Sequence, residues 1–323
     1  MGSQLGQSSL ANASSLVLLQ LFSRAFTFGL NQALLRLATP QTFGTAAIQF
    51  ELLLSTILFL SREGVRNALL RSSVKHEKND SDVALADNIS LIPVFLGVPI
   101  SGLTALVYVQ SASTTTASQP HFHLSVAIYA LAAILELLSE PLYIRAQNEL
   151  RLNVRVRAEG AAVVFKSVVT FLVLAFASGE WALMAFAAGQ AAYGISLLAV
   201  FLGTYKGDIN YVPKRVQTKL HDKYVPSPSA ARSPSDLIRP WAGLDANSAV
   251  TSYFDAELLN LSIAMTGQSV IKHFLTEGDK FLVSRLSPLE DQGGYAIASN
   301  YGTLNIIFLS TLSSSSRHGV FFS

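Results

Sequence analysis

The sequence predicts an all-α polytopic membrane protein, with one complete six-helix bundle followed by the first two helices of a second bundle. Of its 323 residues, 50% are hydrophobic and only 14% are charged, whereas soluble domains average roughly 25% charged residues. Apolar segments of about 20 residues, the length that crosses a bilayer as a helix, recur along the chain. A water-soluble protein of this size would need more polar surface.

Composition also limits the classes of function. The formal net charge is only +2, so we expect no nucleic acid as a partner. The chain has no cysteine, which excludes disulfides, zinc–thiolate sites and iron–sulfur clusters. Metalloprotease, P-loop and dinucleotide-binding motifs are absent as well. We therefore expect a non-enzymatic membrane protein without a cofactor or a metal.

Six apolar segments predict the first bundle. The first segment closes at Thr39-Pro40, because proline disfavours helical backbone in the preceding residue. Pro93 and Pro99 predict a kinked third helix. Ala185 and Gly189 form a small-xxx-small pair that allows close packing of the sixth helix. Within the bundle, residues 15–205, the predicted helices cover about 15–38, 45–70, 85–110, 123–147, 161–178 and 180–205.

A change of composition marks the end of this bundle. Residues 206–249 mix prolines with charged residues and predict a long linker outside the membrane. Residues 250–312 then predict the start of a second bundle, with helices over about 250–275 and 295–312. The low-complexity residues 313–323 read as an aberrant tail, typical of a truncated gene product.

The positions of Lys and Arg predict the orientation. The loops after the first, third and fifth helices contain neither residue, whereas the loops after the second, fourth and sixth are basic. The positive-inside rule places the basic side in the cytoplasm. We therefore expect residues 1–14, the basic loops and the linker to be cytoplasmic.

Polar residues recur at helical spacing inside several segments. Arg24 and Asn31 share one face of the first segment, and Lys166 lies within the fifth. Because a charge at mid-bilayer costs at least ~3 kcal/mol on insertion scales, such faces should line a water-filled cavity or pair with one another. The second and fourth segments carry further polar stripes, which include Gln49, Glu51, Arg62, Glu63, Arg66, Glu136 and Glu140.

These charges also have simpler interpretations. Arg62 and Arg66 lie near a predicted helix end, where snorkelling to the lipid headgroups is an adequate explanation. Glu136 and Glu140 are either counter-ions of the deeper cations Arg24 and Lys166 or groups that couple transport to protons. The residues alone leave both alternatives open.

Three sequence blocks carry a more specific signal. SRAFTFGLNQALLR with TPQTFGTAAIQFELLLSTILFLSREGVRNAL, EPLYIRAQNELRLNVRVRAEG, and HFLTEGDKFLVSRL with DQGGYAIASNYGTL closely resemble the Rft-type family of the endoplasmic reticulum. That family lies within the superfamily of multidrug, oligosaccharidyl-lipid and polysaccharide exporters, which pair two helix bundles around a central cavity. The resemblance implies a flippase that moves a dolichol-diphosphate-linked oligosaccharide to the lumenal leaflet for protein N-glycosylation.

The resemblance gives the polar stripes a candidate ligand. An anionic diphosphate requires cations, and the arginine fork binds phosphate oxygens in a bidentate manner. On this basis we expect Arg24, with Arg62, Arg66 and Lys166, to bind the diphosphate. The expected glycan contacts are Asn31, Gln49 and Glu140. The family motif Glu277, Gly278, Asp279 and Lys280 receives no role.

The end of the chain departs from the family pattern, since relatives continue into the rest of the second bundle after Leu304. Alternative functions therefore stay open at this point. They are an inactive truncated product, a non-transporting accessory protein of the dolichol pathway, and an ion-coupled exporter of small molecules. Membrane lipid and glycosylation-pathway proteins are further expected partners.

Overall fold

The computed structural model describes residues 29, 32–34, 36–72, 80–206, 211–219 and 249–299. Within these ranges, five helical segments are long and apolar enough to cross a membrane. The predicted class, an all-α polytopic membrane protein, is confirmed. Most of the predicted first helix, with Arg24 and Asn31, lies outside the described residues. The five segments are Pro40–Arg71, Val83–Ser111, Phe122–Asn148, Leu152–Phe176 and Gly179–Thr204.

The first of these segments, α1 (Pro40–Arg71), begins five residues before the predicted start at 45. The Thr39 side chain accepts a hydrogen bond from the Thr42 backbone N–H, and Pro40 occupies the first helical turn. Both features favour a helix start, because proline has no N–H group to leave unpaired there. Two π-helical stretches, Thr45–Phe50 and Phe59–Glu63, interrupt α1; such stretches are frequent at functional sites.

Prolines divide the next two segments. The third predicted helix consists of α2 (Asp80–Ser90) and α3 (Ile92–Ser111), and after the short α4 (Thr114–Ala117) the fourth consists of α5 (Phe122–Leu138) and α6 (Glu140–Asn148). Pro93 and Pro141 each stand at the second position of the helix that follows a break. There the missing N–H is harmless.

The fifth and sixth segments are α7 (Leu152–Phe176) and, after a 3₁₀ turn, α8 (Ala182–Thr204). Helix α7 begins nine residues before the predicted 161, because the basic stretch is itself helical and Arg155 pairs with Glu159 one turn later. The small residues of α8 allow a close approach to α7. A Cβ on Gly189 would lie 2.9 Å from the backbone oxygen of Lys166.

The described residues on both sides of the linker contact the first bundle. Strand β1 (Val216–Lys219) pairs antiparallel with β2 (Ala249–Ser252). Buried Asn88 of α2 holds this junction, since its side-chain amide donates to the backbone oxygens of Lys214 and Tyr253 at 2.6 and 2.7 Å. Tyr211 donates to the Leu138 oxygen, and burial raises the pKa of this phenol.

The predicted seventh helix, 250–275, is displaced along the chain. Residues 249–252 form β2, Asp255 caps the new helix, and α9 (Ala256–Leu286) continues through the Glu277–Lys280 motif. Residues 289–299 are helical as well and form α10. Helix α9 is not among the five apolar segments, because it carries several charges. It nevertheless packs antiparallel along α1.

Small residues bring α1 into contact with α9 near one of its ends and with α10 near the other. Near one end, a Cβ on Gly64 would lie 2.5 Å from the Thr266 backbone, and near the other, a Cβ on Gly44 would lie 2.7 Å from the Gly293 nitrogen. Because α1 spans the membrane, α9 lies beside it at membrane depth. The main apolar core lies on the other side of α1, where Phe50 packs against α5.

Candidate functional site

Helix α1 is flanked by two cavities. The first, of about 530 Å³, lies between α1, α5, α7 and α8, and we call it the charged cavity. The second, of about 340 Å³, lies between α1, α3 and α9, and we call it the lateral cavity. The polar residues that line the charged cavity include Glu51, Arg62, Glu63, Glu136, Lys166 and Gln190.

At one end of this site, Arg66 and Glu140 form a bidentate ion pair. The Arg66 Nε donates to Glu140 Oε1 at 2.5 Å, and its Nη2 donates to Oε2. The guanidinium also stacks 3.9 Å from the centre of the Tyr143 ring. Glu140 is only 1% exposed. The Glu140 carboxylate, a predicted glycan contact, thus pairs with Arg66, a predicted diphosphate contact, and both assignments stay predictions.

Arg62 has looser contacts. Its Nη1 lies 3.7 Å from Glu136 Oε2 and 3.9 Å from Glu140 Oε2. The other carboxylate oxygen of Glu136 accepts a hydrogen bond from Gln190 at 2.8 Å. Both arginines therefore have carboxylate partners inside the bundle.

Lys166 completes the set of cations that face the charged cavity. Its Nζ lies 3.7 Å from Glu51 Oε2, and both side chains are about one-third or more exposed. The close approach of α8 at Gly189 fixes the α7 backbone at Lys166. Towards α9, Glu63 Oε1 lies 3.7 Å from Lys272 Nζ.

Charge balance follows from these pairs. Among the described residues, Arg62, Arg66, Lys166 and Lys272 pair with Glu51, Glu63, Glu136 and Glu140. Four cations thus balance four carboxylates. The counter-ion alternative for Glu136 and Glu140 fits this arrangement, although their described partners are Arg62 and Arg66. Arg24, the other expected partner, lies outside the described residues.

Gln49 lies away from the charged cavity. Its side-chain amide donates to Gln292 at 2.7 Å, and its oxygen accepts from the Tyr108 hydroxyl at 2.8 Å. The residue is buried and lines the lateral cavity instead. The structure therefore separates Gln49 from the cations with which we grouped it.

The family motif lies in α9 near the lateral cavity, which Glu277 and Gly278 help to line. Lys280 pairs with Glu277 at 2.8 Å, and Asp279 accepts a hydrogen bond from the Tyr295 hydroxyl at 2.5 Å. The Lys280–Glu277 pair lies within α9, whereas the Asp279–Tyr295 hydrogen bond connects α9 to α10. In the described ranges, no group of three or more His, Asp or Glu side chains could hold a metal ion.

Sequence reasoning did not assign Gln190 or Tyr193 to this site, although both line the charged cavity. The available signal was weak. Gln190 is an amide inside a helix that is otherwise rich in alanine and glycine, and it directly follows the close-packing Gly189. A buried amide in such a helix needs a polar partner across the bundle, and that partner is Glu136.

Comparison with known proteins identifies the family. The sequence profile described as Rft protein matches residues 8–309. The chain belongs to the Rft family. It is 35% identical over 322 residues to the "Man(5)GlcNAc(2)-PP-dolichol translocation protein RFT1" of Yarrowia lipolytica, an alignment that covers 92% of this chain and 45% of the relative.

Proteins of the same name from Dictyostelium discoideum and Saccharomyces cerevisiae are each 31% identical. Both alignments cover 93% of this Rft family chain, and they cover 53% and 55% of the two relatives. The chain thus spans about half the length of the curated relatives it matches. No solved structure matches it. Family membership, predicted from the three sequence blocks, is confirmed.

Proposed function

We propose that this protein takes part in moving a dolichol-diphosphate-linked oligosaccharide from the cytoplasmic to the lumenal leaflet of the endoplasmic reticulum membrane. The observation that carries the proposal is the charged cavity between membrane-spanning helices. The relatives' names, which specify translocation of Man(5)GlcNAc(2)-PP-dolichol, supply the substrate. The expected orientation has the N-terminus in the cytoplasm, and contacts with glycosylation-pathway proteins stay a prediction.

In this proposal, Arg62 and Lys166 are the described cations that bind the diphosphate. Their ion pairs are 3.7 Å or longer, so a phosphate oxygen can replace a carboxylate at modest cost. Arg66 is held in two hydrogen bonds to buried Glu140 and serves to position the site. Carboxylates released from these pairs can accept hydrogen bonds from sugar hydroxyls.

The balance of charges gives Arg24 a specific role. The described cluster is neutral, so it offers no net attraction to a diphosphate. An additional cation is required, and we propose that Arg24 supplies it, with Asn31 on the same helical face as a glycan contact. One charge-assisted hydrogen bond contributes ~1.5–3 kcal/mol, which corresponds to a roughly 10- to 100-fold loss of binding when it is removed.

The test compares Arg24→Gln with Arg36→Gln, a matched control because Arg36 lies in the same predicted segment and is exposed. Purified protein is placed in vesicles with a fluorescent glycolipid diphosphate. Binding is measured by spin-down, and translocation by accessibility of the sugar to an added lectin. We expect Arg24→Gln to lose both and Arg36→Gln to lose neither.

Other outcomes decide between the alternatives. Binding without any change of leaflet would support a non-transporting accessory protein and contradict translocation by this chain. Equal binding by the two variants would exclude Arg24 as the diphosphate contact. If a glycolipid with a single phosphate binds as tightly as the diphosphate, the charged cavity does not recognise the diphosphate.

A further inference from the structure

Two hydroxyl groups in the charged cavity have no partner. The cations and carboxylates that line the cavity pair with one another, the Gln190 amide donates to Glu136, and Ser55 donates to the backbone of its own helix. Ser167 of α7 and Tyr193 of α8 line the cavity as well. Neither of these two hydroxyls makes a hydrogen bond in the described part of the chain, so both are available to a ligand.

Both hydroxyls can be reached from the cavity. Ser167 is 7% exposed, and Tyr193 is partly buried, with its ring packed against an apolar cluster that includes Ala158 and Ala162 of α7. Neither oxygen is among the sealed side-chain atoms that lack a partner, so each retains surface that a ligand atom can touch. Since polar groups in such enclosed positions are nearly always paired, their partners must come from whatever fills the cavity.

The two hydroxyls lie beside the cations that the proposed function assigns to the diphosphate. Ser167 directly follows Lys166 in α7, and Tyr193 lines the same cavity as Arg62. Arginine and lysine bind phosphate oxygens through charge-assisted hydrogen bonds. A hydroxyl both donates and accepts, as the hydroxyls of a sugar do. Groups suited to phosphate and groups suited to sugar therefore meet within one cavity.

The size of the cavity limits how much of a glycolipid head group it can enclose. Its volume of about 530 Å³ lies within the ~300–1,000 Å³ range of sites for drug-sized ligands. A diphosphate with the first sugar attached to it is of that size, whereas a Man(5)GlcNAc(2) oligosaccharide is several times larger. The charged cavity therefore has room only for the end of the head group that is nearest the lipid.

We propose that the charged cavity recognises the diphosphate together with the first sugar. Arg62 and Lys166 bind the phosphates, and the hydroxyls of Ser167 and Tyr193 bind the sugar. The remaining sugars lie outside this cavity and contribute little to affinity. The inference rests on the proposed function, which supplies the glycolipid, and it adds which part of the glycolipid this chain recognises.

The experiment compares three lipid diphosphates that have the same short isoprenoid tail. One carries no sugar, one carries a single N-acetylglucosamine, and one carries the complete Man(5)GlcNAc(2) head group. Each competes with a fluorescent glycolipid diphosphate for the full chain in vesicles. We expect the last two compounds to bind equally. The sugar-free compound should bind roughly four- to 100-fold more weakly, because it lacks two hydrogen bonds that each contribute roughly two- to tenfold.

Conservative variants locate the sugar contacts. Tyr193→Phe and Ser167→Ala should each bind the single-sugar compound roughly two- to tenfold more weakly, the range that one net hydrogen bond supplies. Their affinity for the sugar-free compound should not change, which also shows that the variants are folded. Tyr253→Phe is the matched control and should alter neither affinity, because Tyr253 is 48% exposed and lies before the start of α9.

Three results would overturn the inference and leave the proposed function intact. The first is equal binding of all three compounds, and the second is much tighter binding of the complete head group than of the single-sugar compound. The third is a Tyr193→Phe or Ser167→Ala variant that loses as much affinity for the sugar-free compound as for the single-sugar compound. If the chain binds none of the three compounds, the proposed function fails and the inference fails with it.

Discussion

The two cavities beside α1 differ in how their polar atoms are satisfied. In the charged cavity, carboxylates and cations from several helices neutralise one another, and each described charge has a partner. In the lateral cavity the walls are mostly apolar, and charged side chains are fewer. A single helix supplies both because its successive residues point in different directions.

This difference determines what each cavity can bind. A neutral charge cluster attracts an ionic ligand only when a further charge is added or a pair is exchanged. The lateral cavity is lined instead by neutral side chains that hydrogen-bond between helices, as in the Gln49–Gln292 and Thr56–His273 contacts. Substitutions on the two sides of α1 should therefore lower stability through different interactions, and the expected losses of stability can be ordered by size.

The largest effect is expected beside the charged cavity, from Glu140→Ala. This change leaves the Arg66 guanidinium without its bidentate partner in a mostly buried position. Breaking a buried ion pair costs ~3–5 kcal/mol, and since the Arg66 side chain retains 17% exposure, we expect about 3 kcal/mol. Thermal unfolding in detergent micelles measures it.

The control for this prediction is Glu159→Ala, which removes the exposed i,i+4 pair with Arg155. Such pairs contribute less than ~1 kcal/mol. Similar losses of stability in both variants would contradict the structural role of the Arg66–Glu140 pair.

A somewhat smaller loss is expected from Gly189→Ala, which adds a methyl group between two walls of the charged cavity. The new Cβ would lie 1.9 Å from Thr170 Oγ1 and 2.9 Å from the Lys166 backbone oxygen. A side chain can rotate, but the backbone oxygen cannot, so the helices must separate. Overpacking of this kind costs ~1–3 kcal/mol, and we expect about 2 kcal/mol.

Gly203→Ala provides a control with the opposite expected sign. Gly203 lies in the same helix, and a Cβ there meets no atom within 4 Å. Replacing a helical glycine by alanine then stabilises the helix by ~0.5–1 kcal/mol. The same unfolding assay would refute the close approach of α7 and α8 if both alanines were tolerated equally.

On the lateral side, Gln49→Leu should cost about 1–2 kcal/mol. It removes the amide that holds both Gln292 and the Tyr108 hydroxyl, and leaving buried partners unpaired costs ~1–3 kcal/mol. Gln41→Leu breaks an exposed hydrogen bond to Glu290 and is the matched control. If the Gln49 variant is as stable as the control, the network does not hold α10 against α1.

How much of the fold could be predicted from the sequence depends on how far apart along the chain the interacting residues lie. Hydropathy predicted the membrane class, and Pro93 predicted an interruption of the third helix, because these are local properties of the chain. The break before Pro141 in the fourth helix was not predicted. The helix start at Pro40 was missed because Thr39-Pro40 was interpreted only as the end of the first segment, although Thr39 also caps the next helix. Strand β2 was missed because its partner lies more than 30 residues away along the chain.

The site itself was predicted only in part. Helical spacing correctly placed Arg62 and Arg66 on a polar stripe, but spacing within one helix cannot show which carboxylate on another helix faces them. The pairing of Glu140 with Arg66 was therefore not predicted. The charged cavity and its charge balance arise from contacts between helices, which no single periodic pattern contains.

The smallest effect concerns Lys272, whose contact with Glu63 joins the helix of the lateral cavity to the rim of the charged cavity. The Lys272 side chain is 65% exposed and lies 3.7 Å from Glu63, so Lys272→Gln should cost less than ~1 kcal/mol. Screening separates this contact from the buried pairs, because the Debye length falls to ~3 Å at 1 M salt. The Lys272→Gln difference in unfolding should disappear at 1 M salt, whereas the Glu140→Ala difference should persist. A Lys272 effect that survives high salt would mean that the pair is shielded from water, and the two cavities would then share one buried charge network across α1.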